Sequence, residues 1–206
     1  MDEKKILEVL KELRKEKERK FDQSLDLIIN LKNFDVKRDS FSLVVELPFK
    51  IKDKKIAGFL EKKSNLVFSI LKNDFPRYSD KKEIKKLIKN YDYFIANAKL
   101  MPSVATTFGR YLGPANKMPS PQLGILVNED EKNIKKLIEK INSGVKIRTK
   151  EPSIKASIAK ESMKDEEIVK NIISAYNKIL DNLPKKNENI RNIMIKFSMG
   201  KPIKLD

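Results

Sequence analysis

Apolar residues recur at every second position in three segments near the two ends of the chain. In residues 24–31, Leu25, Leu27, Ile29 and Leu31 alternate with Ser24, Asp26, Ile28 and Asn30. In residues 154–158, Ile154, Ala156 and Ile158 alternate with Lys155 and Ser157. In residues 192–198, Ile193, Ile195 and Phe197 alternate with Asn192, Met194, Lys196 and Ser198. A period of two places every apolar side chain on one face of a strand. Residues 41–47 repeat the pattern with Phe41, Leu43, Val45 and Leu47. Half-buried strands of this kind belong to an antiparallel sheet with one wet face. The four are expected to share one sheet, its apolar side covered by helices at residues 3–20 and 166–180.

Between these ends the pattern changes. Ile56–Leu60, Leu66–Ile70 and Tyr91–Ala96 are short apolar runs, and Leu123–Val127 and Val145–Thr149 are further strand candidates. Helical spacing appears over 81–89, with Asp80 and Glu83 placed for a capping box, over 103–111, and over 131–142. Strands alternating with helices indicate an α/β layer. The arrangement that satisfies both patterns is discontinuous. An α+β first domain is built from residues 1–52 and 152–206, with an antiparallel sheet and helices on one face. An α/β second domain is inserted at 53–151.

Composition narrows the chemistry. The chain has 206 residues, 45 Lys and Arg against 29 Asp and Glu, and no His, Cys or Trp, giving a net charge of +16. A Ser-His-Asp triad, a cysteine nucleophile, a disulfide and a His/Cys zinc site are therefore excluded. No metal or cofactor is expected. The excess of base favours a polyanionic partner. A lysine-rich genome bias raises the lysine count but leaves the imbalance between signs unexplained. The N-terminus lacks the apolar stretch of a signal peptide, and no apolar run reaches membrane-spanning length, so a cytoplasmic protein is expected.

Three constellations stand out. The first is the polar strand face: Ser24, Asp26, Asn30, Ser42, Lys155, Ser157, Lys196 and Ser198. Short hydroxyls and amides bond sugar and phosphate oxygens, and lysines neutralise phosphates. Taken alone, the pattern also describes an ordinary solvated face. The second, residues 101–121, is dense in Gly and Pro, but Gly109 and Gly113 fit neither the dinucleotide fingerprint nor the P-loop. It reads as a rigid loop. The third is the turn Ser198-Met199-Gly200 after a strand.

Several segments together resemble a known family. YDYFIANAKLMP at 91–102 and LGPANKMP at 112–119 are similar to the signature of ribosomal large-subunit protein L-one, archaeal type. KFDQSLDLIINL at 20–31, VVELP at 44–48, DEEIVKNI at 165–172 and the Ser-Met-Gly turn follow in family order. The resemblance implies the discontinuous first domain, with the insert a three-layer, Rossmann-like domain. It implies a non-enzymatic ribosomal protein, monomeric when free, that binds the mobile stalk of large-subunit rRNA near the exit site of deacylated tRNA. It also implies repression of translation through binding to its own mRNA.

By motif, the RNA surface falls on Lys20, Phe21, Gln23, Ser24 and Asp26, and on Ser198, Met199 and Gly200. Lys155, Ser157, Lys160 and Lys196 are added from charge and strand facing. Ser198 replaces the family's usual threonine. Three further departures are visible. Pro48-Phe-Lys-Ile-Lys-Asp stands where the family has hinge glycines. The stretch between Ile56 and Leu66 is short for the family's helix. Gly113-Pro-Ala-Asn lacks the family's arginine. The rival reading is a nucleotide-binding enzyme that uses the α/β insert.

Overall fold

The computed structural model describes residues 2–15 and 19–205. In chain order the elements are α1 (Glu3–Leu13), β1 (Ser24–Leu31), the single turn α2 (Val36–Asp39), β2 (Ser42–Glu46), β3 (Ile56–Phe59) and β4 (Phe68–Ile70). Next come α3 (Lys81–Asn90), β5 (Tyr93–Asn97), α4 (Met101–Leu112), β6 (Ile125–Leu126) and α5 (Glu131–Ser143). The chain ends with β7 (Gly144–Arg148), β8 (Ser153–Lys160), α6 (Asp165–Asn182), β9 (Ile190–Phe197) and β10 (Ile203–Lys204). The fold is mixed α and β. It separates into two compact units, Met1–Ile51 with Ser143–Asp206, and Lys52–Asn142.

The first unit is built on an antiparallel sheet of order β10-β9-β1-β8. Burial along β1 alternates as its sequence does: Leu25, Leu27, Ile29 and Leu31 are buried and the residues between them are half-exposed. The buried face packs with Ile6, Leu10 and Leu13 of α1 and with Ile168, Ile172, Ala175 and Ile179 of α6. The Asp2 carboxylate accepts from the Lys4 backbone N–H and caps α1.

Three sequence expectations are corrected here. The N-terminal helix expected over 3–20 ends at Leu13, and residues 16–18 of its charge run lie outside the described residues. The strand β2 does not join the main sheet. It pairs with β7, Val45 opposite Val145, so Ser42 leaves the shared polar face and β10 takes the edge beside β9. Local alternation reports which side of a strand is buried but not which strand is its neighbour. The strand β7, expected in the insert, thus lies in the first unit, and the unit boundary falls ahead of residue 143 rather than near Pro152.

Between Pro48 and Asp53, Phe49 is held firmly. Its N–H donates to Asn171 Oδ1 and its carbonyl accepts from Asn171 Nδ2, each at 3.0 Å. Asn171 is fully buried, and its amide also donates to the carbonyl of Ile158.

The second unit has a parallel sheet of order β4-β3-β5-β6. On one face Phe59, Phe75, Phe94 and Phe108 form its aromatic core with residues of α3 and α4. Strands β3 and β4 are parallel neighbours, yet the link 60–67 contains no helix. The strands are short, so a link that reaches about 26 Å when extended spans them easily. Gly58 gives this link room: a Cβ there would stand 3.2 Å from Val67, Leu60 and Ile95. Asp80 caps α3 through the Lys82 N–H, while Glu83 pairs with Lys86 instead of completing a capping box.

Candidate nucleic-acid interface

The exposed face of the first unit's sheet is organised in cross-strand rows. Asp26 on β1 lies between Lys196 on β9 and Ser157 on β8. Ile28 lies between Met194 and Lys155. Asn30 lies between Asn192 and Ser153, donating to Asn192 Oδ1 at 2.7 Å and accepting from Ser153 Oγ at 2.9 Å. This last row is a closed network. The Asp26 row retains acceptor capacity. Partial burial raises the Asp26 pKa, and Lys196 and a hydrogen bond from Ser157 oppose that rise.

Lys160 reaches the same face through a β-bulge. The register of β8 against β1 shifts between Leu25 and Asp26, so Ile158 and Ala159 are both buried in succession. Strict alternation would have turned Lys160 inward, and the extra residue re-aims it. The Asn171 amide holds the carbonyl of Ile158 at this bulge. Lys160 Nζ then donates to the Asp22 carbonyl at 3.1 Å.

One end of the sheet gathers the remaining predicted residues. The approach to β1 and the segment after β8 are tied together. The Asp22 carboxylate accepts from the Ser162 N–H and hydroxyl, and Glu161 N–H donates to the Gln23 carbonyl. Arg14 clamps this segment from α1, pairing with Asp165 at 2.8 Å and donating to the carbonyls of Glu161 and Met163. A cleft of about 410 Å³ opens between Arg19, Lys20, Phe21, Asp22, Glu161 and Ser162. Phe21 beside it is 55% exposed.

The turn after β9 arrives at the same end because Phe197 pairs with Leu25. Gly200 N–H donates to the Phe197 carbonyl at 2.9 Å and closes the turn, leaving Met199 61% exposed. Ser198 donates both its N–H and its hydroxyl to the Ser24 carbonyl. The hydroxyl oxygen keeps lone pairs that can accept from an incoming donor.

Gln23 was expected to face a ligand, but it is 5% exposed. Its Nε2 donates to Glu161 and its Oε1 accepts from the Met199 N–H at 3.2 Å. It is a bracket between the two segments that carry Phe21 and Met199, not part of the open surface. Glu161, Asp22 and Ser162, which build this bracket, were missed. Their partners lie more than a hundred residues away, and only the motif residues flanking β1 hinted at them. Lys155 is exposed and pairs loosely with Glu151 at 3.4 Å.

The model of the ribosomal protein L1p/L10e family matches residues 13–201. The chain belongs to the ribosomal protein L1 family. The large ribosomal subunit protein uL1 of Pyrococcus horikoshii is 36% identical, over 100% of this chain and 97% of the relative. Its counterpart in Thermococcus kodakarensis is 32% identical over 100% and 98%. That of Methanothermococcus thermolithotrophicus is 34% identical over the full length of both chains. The L1-family resemblance read from the motifs therefore stands, archaeal type included.

The rival nucleotide site gains nothing from the geometry. In open α/β sheets ligands bind beyond the carboxyl ends of the strands, where the strand order reverses. Here that crevice follows β3 and β5 and is an open pocket of about 280 Å³, but the Glu129 carboxylate occupies the donors that a phosphate would need. Glu129 accepts from the N–H groups of Glu61 and Lys62 at 2.7 and 2.9 Å and from Asn97 Nδ2 at 2.7 Å. Among the described residues no cluster of three or more acidic side chains could hold a metal ion, and no helix is long and apolar enough to cross a membrane.

Proposed function

We propose that this L1-family protein is a non-catalytic component of the large ribosomal subunit in the cytoplasm. It binds the stalk of large-subunit rRNA near the tRNA exit site, through the open face of β1, β8 and β9 and the turn at Met199. The observation that carries this reading is that two exposed apolar side chains, Phe21 and Met199, stand at the same end of a polar sheet face. The Gln23 bracket holds their segments together before RNA arrives. Folded RNA offers sugars, unstacked bases and 2′-hydroxyls to such a surface. Asp26 and Ser198 accept from 2′-hydroxyl or base amino groups. Lys20, Lys155, Lys160 and Lys196 neutralise phosphates around them. The same surface binds the protein's own mRNA, which gives repression by competition, and deacylated tRNA lies beside the bound stalk. The free protein is a monomer. We also take the two compact units as separate domains, the second inserted in the first.

Met199→Glu tests the site. It places a carboxylate against RNA on an exposed turn, so stalk-RNA affinity should fall by about two orders of magnitude while thermal unfolding stays unchanged. Unchanged affinity would overturn the assignment. Four neutralised phosphates give a log K against log salt slope of roughly −2.8 to −3.6. Protection of large-subunit RNA outside the stalk alone would overturn the partner.

A further inference from the structure

The described residues expose five large apolar side chains: Phe21, Leu66, Phe68, Val127 and Met199. Two belong to the face above. Leu66 and Phe68 form a second group, at the β4 edge of the parallel sheet. Phe68 is 46% exposed, and one ring face lies on Tyr91, centroids 5.1 Å apart and planes 23° from parallel. Tyr91 packs edge-on against Phe94, which stacks on fully buried Phe59. The outermost ring is thus supported from the core.

Tyr91 also caps α3, and Lys117 Nζ pins that helix end by donating to the carbonyls of Ile88 and Tyr91 at 2.6 and 2.7 Å. The helix that ends there exposes Lys81, Lys82, Lys85, Lys86 and Lys89 and carries one acid, Glu83. Among the described residues only Lys86 of the five has an acidic partner, Glu83 at 3.0 Å.

We propose that Phe68, backed by Tyr91, is a stacking platform for a single-stranded RNA segment whose phosphates run along the lysines of α3. Every base has a π-face, so a supported ring beside a cationic track binds single strands without sequence preference. Strand addition by a protein is disfavoured because β4 offers only three residues of edge. An acidic protein surface would use the lysines but leave Phe68 facing solvent. This second contact lies in the unit of residues 52–142 and does not depend on the stalk assignment.

The chain has no tryptophan, so Phe68→Trp places a sole indole reporter on the platform of the full-length protein. Titration with a ten-nucleotide oligouridylate should quench its emission saturably. Replacing both Lys85 and Lys89 with Gln should flatten the salt slope by about 1.4. Phe68→Ala and Phe68→Leu should each weaken oligouridylate binding roughly 5- to 150-fold. The leucine variant keeps apolar bulk without a π-face, which separates stacking from a structural role. Met199→Glu in the Phe68→Trp background should leave oligouridylate quenching intact and lose stalk RNA. Phe68→Ala, which carries no indole and is followed by calorimetry, should lose oligouridylate affinity and keep stalk RNA. Emission unmoved by saturating oligonucleotide, or equal affinity in the leucine variant, would overturn the proposal. So would an emission shift that follows protein concentration without RNA, which would mean that a second copy covers the ring.

Discussion

Residues 52–142 hold 19 of the 45 basic residues against 10 of the 29 acids, a net +9, while the remainder of the chain carries +7. The longer unit, with the lower charge density, nevertheless carries the more finely arranged surface. On the sheet of β1, β8 and β9 an aspartate lies between a lysine and a serine, an asparagine row is internally satisfied, and a buried glutamine braces the turn. On α3, by contrast, lysines project from a helix with almost no opposing acid. The first arrangement constrains which donors and shapes fit. The second attracts any phosphate chain. In the proposed reading net charge supplies attraction, and specificity comes from residues that contribute little to it.

The sharpest way to break this comparison acts on the second unit's core. Phe59 is fully buried, with ring centroids of Phe108, Phe94 and Phe75 at 4.8, 5.8 and 5.9 Å. Phe59→Ala should cost about 3–5 kcal/mol, measured by denaturant unfolding. If the units are independent domains, an early separate transition should appear, and stalk-RNA binding should persist at denaturant concentrations beyond it. Loss of both together would join the units energetically.

Next in size is Asn171→Ala. It leaves the N–H and carbonyl of Phe49 and the carbonyl of Ile158 without their partner. Unpartnered buried groups cost about 1–3 kcal/mol. Because Ile158 is the bulge residue that re-aims Lys160, the variant should also lower RNA affinity under conditions where it remains folded. An affinity equal to that of the parent protein would detach the bulge from recognition.

Gln23→Ala should act more gently. It frees the Met199 N–H and the Glu161 carboxylate at a partly exposed site, so stability should barely change. The turn at Met199 loses its brace, and stalk affinity should fall by about tenfold, the equivalent of one ordinary hydrogen bond. Binding by α3 should be unaffected.

The strand faces of the first unit were legible because a period of two is a local property. Leu25, Leu27 and Ile29 are buried, and Asp26 and Asn30 are partly exposed, where alternation put them. Helices α5 and α6 were legible from their stripes. Pairing was not, because the neighbour of β2 is chosen by the register of Val45 with Val145, a hundred residues on. Gln23 is buried for a reason that was legible: it stands two residues before Leu25, in phase with Leu27 and Ile29, so the same period puts it on the buried face although its side chain is polar. The bulge at Ile158 breaks the very period that reveals strands. A motif pointed to this end of the sheet, but the hydrogen bonds that organise it are long-range.

The smallest effect separates the units by the sign of their acid response. Burial, the largest influence on Asp26, raises its pKa against the opposing pull of Lys196 and Ser157. Burial also acts upward on Asp92 in the second unit, but the Lys55 N–H, Lys52 and the charge of Lys117 outweigh it and hold the pKa below its ordinary value. The folded state thus takes a proton at Asp26 before the unfolded chain does. Ionising Asp26 opposes folding, and that penalty develops as pH rises from the unfolded carboxylate value, about 3.9, through the raised folded value. Asp26→Asn should therefore stabilise the protein at neutral pH, with the gain vanishing below the unfolded value. Asp92 behaves oppositely: its contribution is present above the unfolded value and is lost as pH falls through the lowered folded one. Asp92→Asn should destabilise at neutral pH and converge with the parent protein in stronger acid. Both variants can be followed by thermal unfolding between pH 2 and pH 7. Asp26→Asn should also weaken stalk-RNA binding while it stabilises the fold, because the proposed RNA site uses this carboxylate as an acceptor. Stabilisation without loss of binding would leave the row of Lys196, Asp26 and Ser157 as ordinary sheet surface.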